Sequence, residues 1–188
     1  MRKLYLGLLH YPVHNKNREI ITSAITNFDI HDISRASKTF GVEKYFIITP
    51  ENGQKSVMGK IIEHWQKGFG ATYNKDRKTA LEITSIINTL EEAIDTIKED
   101  TGMDPIVTAT SAQKDENYTS YTIKEMRSLL EEEDGAPIFL LFGTGYGMVM
   151  KNIPQIKNLL APIYGVGEYN HLSVRSAVSI YLYSLMGR

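Results

Sequence analysis

The stretch Ile138-Phe-Leu-Leu-Phe-Gly143-Thr-Gly145-Tyr-Gly147 decides the fold class of this 188-residue chain. Its first five residues form a continuous apolar run, which is typical of a strand buried on both faces of a sheet. Three glycines in alternate positions follow this run. They let the backbone turn sharply and come close to a ligand, so the stretch predicts a buried strand that ends in a binding loop.

Known nucleotide-binding motifs do not explain this loop. A dinucleotide-binding fingerprint has the form G-x-G-x-x-G, and Met148 stands where its last glycine would be. That fingerprint also requires an acidic residue about 20 residues later, whereas residues 163–165 are Ile, Tyr and Gly. The G-K-[ST] sequence of a P-loop is missing as well. An ordinary tight turn is the alternative that the loop alone leaves open.

Outward from this stretch, strand-like and helix-like patterns alternate along the chain. Strands are predicted at residues 4–10, 45–49, 84–88, 105–109, 138–142 and 162–166. Helices are predicted at 30–40, 56–66, 90–99, 121–132, 153–160 and 172–185, and a basic loop at 68–78. This alternation predicts an α/β fold in which helices cover both faces of a parallel sheet, within one domain over residues 1–188.

The composition narrows the class of protein. Hydrophobic residues make up 42% of the chain and charged residues 23%, as in ordinary soluble domains. The chain has no cysteine, which excludes disulfides, thiolate chemistry and cysteine zinc sites. No apolar run is long enough to span a membrane, and the first residues lack a signal-peptide cleavage pattern. We therefore expect a cytoplasmic protein without a membrane partner.

The charges are distributed unevenly along the chain. Residues 1–78 contain 13 Lys and Arg against seven Asp and Glu, whereas residues 79–188 contain eight against 15. A basic half on a chain with a net charge of −1 could present a phosphate-binding face. Uneven surface charge without a partner is the alternative.

A glycine-containing segment near the C-terminus could bind a ligand. After the strand predicted at 162–166, Gly167 and Asn170 lead into a helix rich in small residues. The free N–H groups at the start of a helix suit a carboxylate or another polar ligand group. The alternative is that Asn170 only caps this helix.

The segment 27–42 places two cations on one face of its predicted helix. Arg35 and Lys38 are three residues apart and therefore neighbours on that face. Asp32 also lies three residues before Arg35. A solvated surface ion pair between these two side chains is the alternative to a binding role.

No metal site is predicted. His10 and His14 are four residues apart, but Pro12 between them is incompatible with a helical pair of metal ligands. His31 and His64 have no partner ligands nearby in the sequence.

Taken in order, three segments resemble the signature motifs of the SPOUT superfamily of RNA methyltransferases. Asn27, Arg35 and the Phe-Gly-Val of residues 40–42 resemble the first motif. Residues 140–147 resemble the second motif, and residues 162–177 resemble the third. The resemblance spans nearly the whole chain and is strongest to a bacterial subgroup of S-adenosylmethionine-dependent RNA methyltransferases.

The resemblance implies a sheet whose C-terminal part forms a deep trefoil knot, a homodimer with composite active sites, and S-adenosylmethionine as the cofactor. The cofactor would be held mainly by backbone groups of three loops. The corresponding positions are Thr108, Ala109 and Thr110; Gly143, Thr144, Gly145 and Gly147; and Ile163, Gly165, Val166, Asn170, His171, Leu172 and Ser173.

The resemblance also implies that RNA, with tRNA as the first candidate, is the partner. Arg35 takes the place of the residue implicated in catalysis, and Asn27 and Arg175 would help to hold the acceptor. A free arginine is a very weak proton acceptor, so orientation of the ribose and its phosphate is preferred to a base role. The candidate phosphate contacts are Lys38, Lys75, Arg77 and Lys78.

Three functions stay open at this point. The first is methylation of a ribose 2′-hydroxyl of tRNA, and the second is methylation of a base, such as guanine at N1. The third is a dimeric RNA- or nucleotide-binding module without catalysis. This last alternative rests on departures from the usual third motif, since Ser173 stands in place of Asn and Arg175 in place of Ser. The second motif also departs from the usual pattern, with Thr144 in place of Glu.

Overall fold

The computed structural model describes all 188 residues. The strands are β1 (Leu4–Leu9), β2 (Val13–His14), β3 (Ile20–Ile21), β4 (Tyr45–Ile48), β5 (Thr84–Ile87), β6 (Ile106–Thr110), β7 (Thr119–Tyr121), β8 (Ile138–Gly143) and β9 (Asn158–Leu160). The helices are α1 (Asn27–Thr39), α2 (Asn52–Gln66), α3 (Phe69–Tyr73), α4 (Lys75–Leu81), α5 (Leu90–Thr101), α6 (Ile123–Glu131) and α7 (Val174–Met186). A 3₁₀ turn spans Met150–Asn152.

Seven strands form one sheet in the order β5-β4-β1-β8-β6-β9-β7, and every neighbouring pair is parallel. β2 and β3 form a separate antiparallel hairpin. The prediction of an α/β fold with a parallel sheet is confirmed. Because β8, β6 and β9 are neighbours and point the same way, the loops that follow them leave the sheet at one edge.

The buried residues of β1 show how the two faces of the sheet are covered. Leu4, Leu6 and Leu8 belong to a core cluster shared with α1, α2, α4, α6 and α7. Tyr5 and Leu9 point the other way, into a cluster shared with α5. The first face is therefore covered by five helices and the second by α5.

The remainder of the second face is covered without a helix. Met148, Ile153 and Ile156 come from the irregular chain between β8 and β9, and all three are buried in the same cluster as α5. Helices do lie on both faces, as predicted, but they are divided very unequally between them.

Side-chain caps fix where α1 and α4 begin. The Thr26 hydroxyl accepts a hydrogen bond from the backbone N–H of Asp29 (3.2 Å), and the Asp29 carboxylate accepts one from the backbone N–H of Thr26 (3.0 Å). Asn74 caps α4 by accepting a hydrogen bond from the backbone N–H of Arg77 (2.9 Å). These caps place Asn27 and Arg77 in the first turns of α1 and α4.

The basic loop predicted at residues 68–78 is wrong, because this segment contains α3 and the start of α4. The polar residues that suggested a turn act at helix ends instead. Asn74 is both the last cap of α3 and the first cap of α4, so two short helices follow each other with one residue between them.

The helix predicted at 153–160 and the strand predicted at 162–166 are also wrong. The apolar spacing of Ile153, Ile156 and Leu159 reflects burial against the sheet, and Pro154 lacks the N–H that a helix interior uses. β9 ends at Leu160, and Pro162 cannot donate to a strand ladder.

The sequence patterns also give no signal for the hairpin of β2 and β3 or for the edge strand β7. These strands have two or three residues each, which is too short for an alternation to register. None of the helices combines the length and the apolar character that crossing a membrane requires.

Candidate functional site

One candidate site lies at the carboxyl edge of β6, β8 and β9. The Thr110 hydroxyl donates a hydrogen bond to the Leu141 carbonyl (3.0 Å), which ties the end of β6 to β8. The Asn170 side chain donates to the Ala112 carbonyl (3.4 Å), which brings the segment after β9 to the loop after β6. The structure therefore brings the three predicted cofactor segments to the same edge.

The residues of these three segments differ in how far their side chains are exposed to solvent. Thr108 and Ala109 are fully buried inside β6, and their backbone pairs with both neighbouring strands. Thr110 is the member of this group that reaches the edge. The third segment is open along most of its length, with exposed side chains at Val166, His171, Leu172 and Ser173, among others, while Ile163 and Asn170 are half-buried.

The glycine loop after β8 is held by the β2–β3 hairpin. The N–H of Tyr146 donates to the His14 carbonyl (2.9 Å), and the N–H of His14 donates to the Gly147 carbonyl (2.9 Å). Gly145 and Gly147 have positive φ angles of 59° and 101°. A Cβ at Gly145 would lie 2.8 Å from the His14 carbonyl oxygen, whereas one at Gly147 would meet nothing within 4 Å. Gly145 thus packs on the hairpin, and at Gly147 the space that a side chain would fill is empty.

A buried hydrogen-bond chain anchors the same loop to β1. His10 is fully buried, and its Nδ1 lies 3.0 Å from the Ser23 hydroxyl. The Ser23 hydroxyl is also hydrogen-bonded to that of Thr144, and Thr144 donates to the Leu9 carbonyl (3.2 Å). Burial lowers the pKa of His10 to about 4, although Asp29 and a hydrogen bond with Ser23 act in the opposite direction. His10 is therefore neutral near pH 7.

A second candidate site is a cavity of about 560 Å³ beside α1, α2 and α4. It is lined by Asn27, Phe28, His31, Asp32, Arg35, Lys60, Ile61, His64, Trp65 and Arg77. Two of the predicted acceptor residues and one predicted phosphate contact therefore share one cavity. Lys38, Lys75 and Lys78, the other predicted phosphate contacts, do not line it.

The two arginines predicted at the acceptor have different surroundings. Asp32 pairs with Arg175 (Nε to Oδ2, 3.6 Å), and Arg35 has no carboxylate within 4 Å. The alternative in which Arg35 is the ion-pair partner of Asp32 is therefore wrong. Arg175 also approaches Asp29 (Nη1 to Oδ1, 3.7 Å) and lies over the ring of Phe28 (5.3 Å), so it binds the start of α7 to the first turns of α1.

Aromatic and imidazole rings shape the far side of the cavity. The guanidinium of Arg77 lies over the ring of Trp65 (4.3 Å), and both His31 and His64 meet Trp65 edge to face. Burial lowers the pKa of His31, and the charges of Arg77 and Arg35 lower it further while Asp32 opposes them. His31 Nδ1 and Arg77 Nε are buried without hydrogen-bond partners.

These rings are functional candidates that the sequence patterns miss, because His31, His64 and Trp65 come from two helices with no fixed spacing. The sequence does contain a local signal for this side of the cavity, in the segment from α2 to α4. Residues 52–81 contain six Lys and Arg against two acidic residues, and aromatic residues recur every fourth position at Trp65, Phe69 and Tyr73.

A protein-family model described as SAM-dependent RNA methyltransferase matches residues 3–187. The chain belongs to this family. Membership confirms the resemblance drawn from the three motifs, together with S-adenosylmethionine as the cofactor of the family.

Two curated relatives of similar sequence have names that include a substrate. Proteins of Oleidesulfovibrio alaskensis and Nitratidesulfovibrio vulgaris, both named tRNA (guanine-N(1)-)-methyltransferase, are 40% and 37% identical over 186 residues. These matches cover 99% of this chain but only 42% of each relative, so the chain spans about two fifths of their length. An uncharacterised Aquifex aeolicus protein is 33% identical over 98% of this chain and 89% of its own length.

Solved structures share the fold at low sequence identity. TrmJ from Z. mobilis has a TM-score of 0.60 and 17% identity, over 100% of this chain and 69% of that one. A probable methyltransferase of Bordetella pertussis has a TM-score of 0.61 and 15% identity, over 98% and 93%. The A. aeolicus TrmH/SpoU tRNA modifying enzyme has a TM-score of 0.53 and 15% identity, over 99% and 75%. The chain therefore has the SpoU/TrmH type of fold.

The contact of Gly145 with the hairpin predicts a specific loss of stability. Gly145→Ala places a methyl group against the His14 carbonyl at a positive φ, so we expect the free energy of unfolding to fall by about 2 kcal/mol. Gly167→Ala is the matched control, because Gly167 has no positive φ and no atom near its Cβ position. Urea denaturation checks both variants, and equal stabilities would contradict the packing of Gly145.

The buried neutral His10 predicts acid sensitivity. The unfolded chain protonates His10 below its ordinary pKa of 6.5, whereas the folded chain does so only near 4. Stability is therefore lost as the pH falls from 6.5 to 4, by about 2 kcal/mol between pH 7.5 and pH 5. His10→Asn should lack this component, and urea denaturation at the two pH values measures the difference. Equal pH dependence in both proteins would show that His10 is not held neutral.

Proposed function

We propose that this chain transfers the methyl group of S-adenosylmethionine to RNA, with tRNA as the substrate and a ribose 2′-hydroxyl as the acceptor. The observation that carries the proposal is the state of Arg35. It makes no ion pair, and it lines an open cavity together with Asn27 and Arg77. A free planar cation in such a cavity suits the orientation of a ribose and its phosphate.

The cofactor belongs, in this proposal, to the edge formed by β6, β8 and β9. Thr110, the glycine loop from Gly143 to Gly147 and the segment from Ile163 to Ser173 would hold it. The space at Gly147 fits this role, since nothing occupies the position of its missing Cβ and a ligand can come close to the chain there.

The work left to the protein is positioning, because the sulfonium of S-adenosylmethionine supplies an already activated methyl group. Asn27 and Arg35 would orient the acceptor, and the surrounding helices would restrict water. Arg175 acts indirectly in this proposal. Since two carboxylates already hold its guanidinium, it fixes α7, and thereby the third segment, against α1.

Guanine N1 methylation is the second candidate, and the names of the two curated relatives favour it. Those names describe whole proteins, of which this chain spans about two fifths. The cavity also offers Asp32 and His31 as groups that could take the N1 proton. Nucleoside analysis of methylated tRNA separates the two, since one product is a 2′-O-methylnucleoside and the other is 1-methylguanosine.

Two structural features of the family are part of the same proposal. We infer from the SpoU/TrmH type of fold that the C-terminal segment is knotted. The contact of Asn170 with the loop after β6 and the packing of α7 beside α1 and α6 are compatible with such a path. We also infer a homodimer. Phe28 and Tyr183 are 64% and 63% exposed and lie at opposite ends of the seam between α1 and α7, so both rings are available to a second copy of the chain.

Substitution of Arg35 tests the orientation of the acceptor separately from the binding of the cofactor. Arg35→Ala should bind S-adenosylmethionine with unchanged affinity and transfer methyl to tRNA at least about 100-fold more slowly, because only the acceptor loses its contact. Arg35→Lys should recover little, since it lacks the planar fork. Calorimetry and single-turnover transfer measure the two quantities, with Arg127→Ala on α6 as the matched control.

The results of that experiment have distinct meanings. Transfer by Arg35→Ala at the wild-type rate would contradict the assignment of Arg35. Cofactor binding without transfer to any tRNA by the wild-type chain would favour the binding module over the enzyme.

The dimer proposal predicts a change of mass. The chain has a mass of 21.3 kDa, and light scattering should give twice this value at micromolar concentration. Tyr183→Arg should favour the monomer, because it places two like charges, one from each copy, in the proposed two-fold interface. Met103→Arg, at an exposed apolar residue after α5, is the control and should stay dimeric. A wild-type monomer would rule the dimer out.

A further inference from the structure

The segment from α2 to α4 carries an unusual combination of charge and exposed aromatic surface. Its six Lys and Arg are opposed by two acidic residues, Glu63 and Asp76. Glu63 is partly neutralised by Lys67 (3.6 Å). On α3, the rings of Phe69 and Tyr73 stack on each other (5.9 Å between centroids, 27° between planes) and are 73% and 75% exposed. This pair contributes little to the stability of the fold, because most of its apolar surface stays exposed to water.

Trp65 connects this pair to the cavity beside α1. One face of its ring carries the guanidinium of Arg77, and a Cβ at Gly70 would lie 2.5 Å from its Cε3, so α3 packs directly against it. Gly70 is buried, and its neighbour Phe69 faces solvent. Trp65 therefore contacts both the cavity and the helix that carries the aromatic pair.

The cations in the cavity are available to a ligand. Arg35, Lys60 and Arg77 line it, and none of them forms an ion pair. The one carboxylate in the lining, Asp32, is held by Arg175. A cation over an aromatic ring keeps its charge, so the Arg77 guanidinium is positioned by Trp65 without being neutralised.

We propose that α2, α3 and α4 form a binding surface for single-stranded RNA, in which the cavity holds a phosphate through Arg35, Lys60 and Arg77 and the Phe69–Tyr73 pair stacks on a base beyond it. Trp65 is a positioning residue that aims Arg77. A cationic groove beside aromatic faces is the arrangement that binds single strands with little sequence preference. The excess of positive charge favours RNA over an apolar protein partner. The inference rests on the proposed function only in taking RNA as the ligand.

Binding of a labelled single-stranded RNA oligonucleotide and of tRNA, without cofactor, tests this surface by fluorescence anisotropy across about 50 to 200 mM salt. Arg77→Ala should weaken binding about tenfold and lower the slope of log K against log salt by about 0.7, as expected for one lost phosphate contact. The double variant Phe69→Ala/Tyr73→Ala should weaken binding about tenfold with an unchanged slope, because stacking releases no counterions.

The tryptophan has its own test. Trp65→Leu should reproduce the reduced salt slope of Arg77→Ala, whereas Trp65→Phe should keep the wild-type slope because it retains an aromatic face for the guanidinium. Lys98→Ala is the control, since Lys98 lies on α5 across the sheet and is ion-paired with Asp104 (2.9 Å). Thermal unfolding confirms that each variant is folded.

The outcomes distinguish this inference from the proposed function. Wild-type RNA affinity in both Arg77→Ala and the aromatic double variant would overturn the proposed RNA-binding surface. It would not contradict the proposal that the chain is a methyltransferase. Loss of self-association instead of RNA binding in the double variant would identify the aromatic pair as a protein interface and also overturn it. A wild-type chain that binds no RNA at all would overturn both proposals.

Discussion

The pairing of β1 with β8 is the constraint on which the rest of the structure depends. It joins the first strand to one that lies 134 residues later, in a continuous parallel register from Leu4 opposite Ile138 to Leu9 opposite Gly143. Both strands are buried on both faces, so their backbone groups depend on each other, on the next strands and on the hydroxyls of Thr110 and Thr144 for hydrogen bonds. A slip by one residue would turn every side chain to the opposite face and is excluded by the packing of the two core clusters. The register therefore fixes His10 beside Thr144, and with them the loop that follows β8.

The two candidate sites are connected through α1. The cap formed by Thr26 and Asp29 sets where this helix begins, which places Asn27 and Arg35 on the cavity. Asp29 is almost fully buried, so its charge requires a partner, and Arg175 at the start of α7 provides one. The departure from the usual third motif at Arg175 thus has a physical account. It ties the segment proposed to hold the cofactor to the helix proposed to hold the acceptor.

Much of the fold could be predicted because burial leaves a clear record in the sequence. Five strands of the sheet, β1, β4, β5, β6 and β8, were predicted from short apolar or β-branched runs, and α1, α5 and α7 had recognisable helical spacing. The predictions of secondary structure were wrong where one residue type or spacing is compatible with two different structures. Asn74 reads as a turn residue but caps a helix, and Ile153 and Ile156 have helical spacing but reach the sheet from an irregular chain. The cavity could be anticipated only at Asn27, Arg35 and Arg77, since its other residues meet through tertiary packing that no local pattern records.

The different surroundings of the three arginines decide from which side RNA would approach. Arg175 would have to leave two carboxylates before it could hold a phosphate, and that exchange returns little net free energy. Arg35 and Arg77 have no such cost, because neither is neutralised in the folded chain. In the proposed function an incoming phosphate would therefore be drawn to the side of the cavity formed by α2 and α4, and the acceptor nucleotide would reach Arg35 from there. The segment proposed to hold the cofactor leads into α7, which Arg175 ties to Asp29 in the first turn of α1. The proposed donor and acceptor sites are thus joined through the first turns of α1, so a shift of this helix would disturb the alignment of the nucleophile with the methyl group.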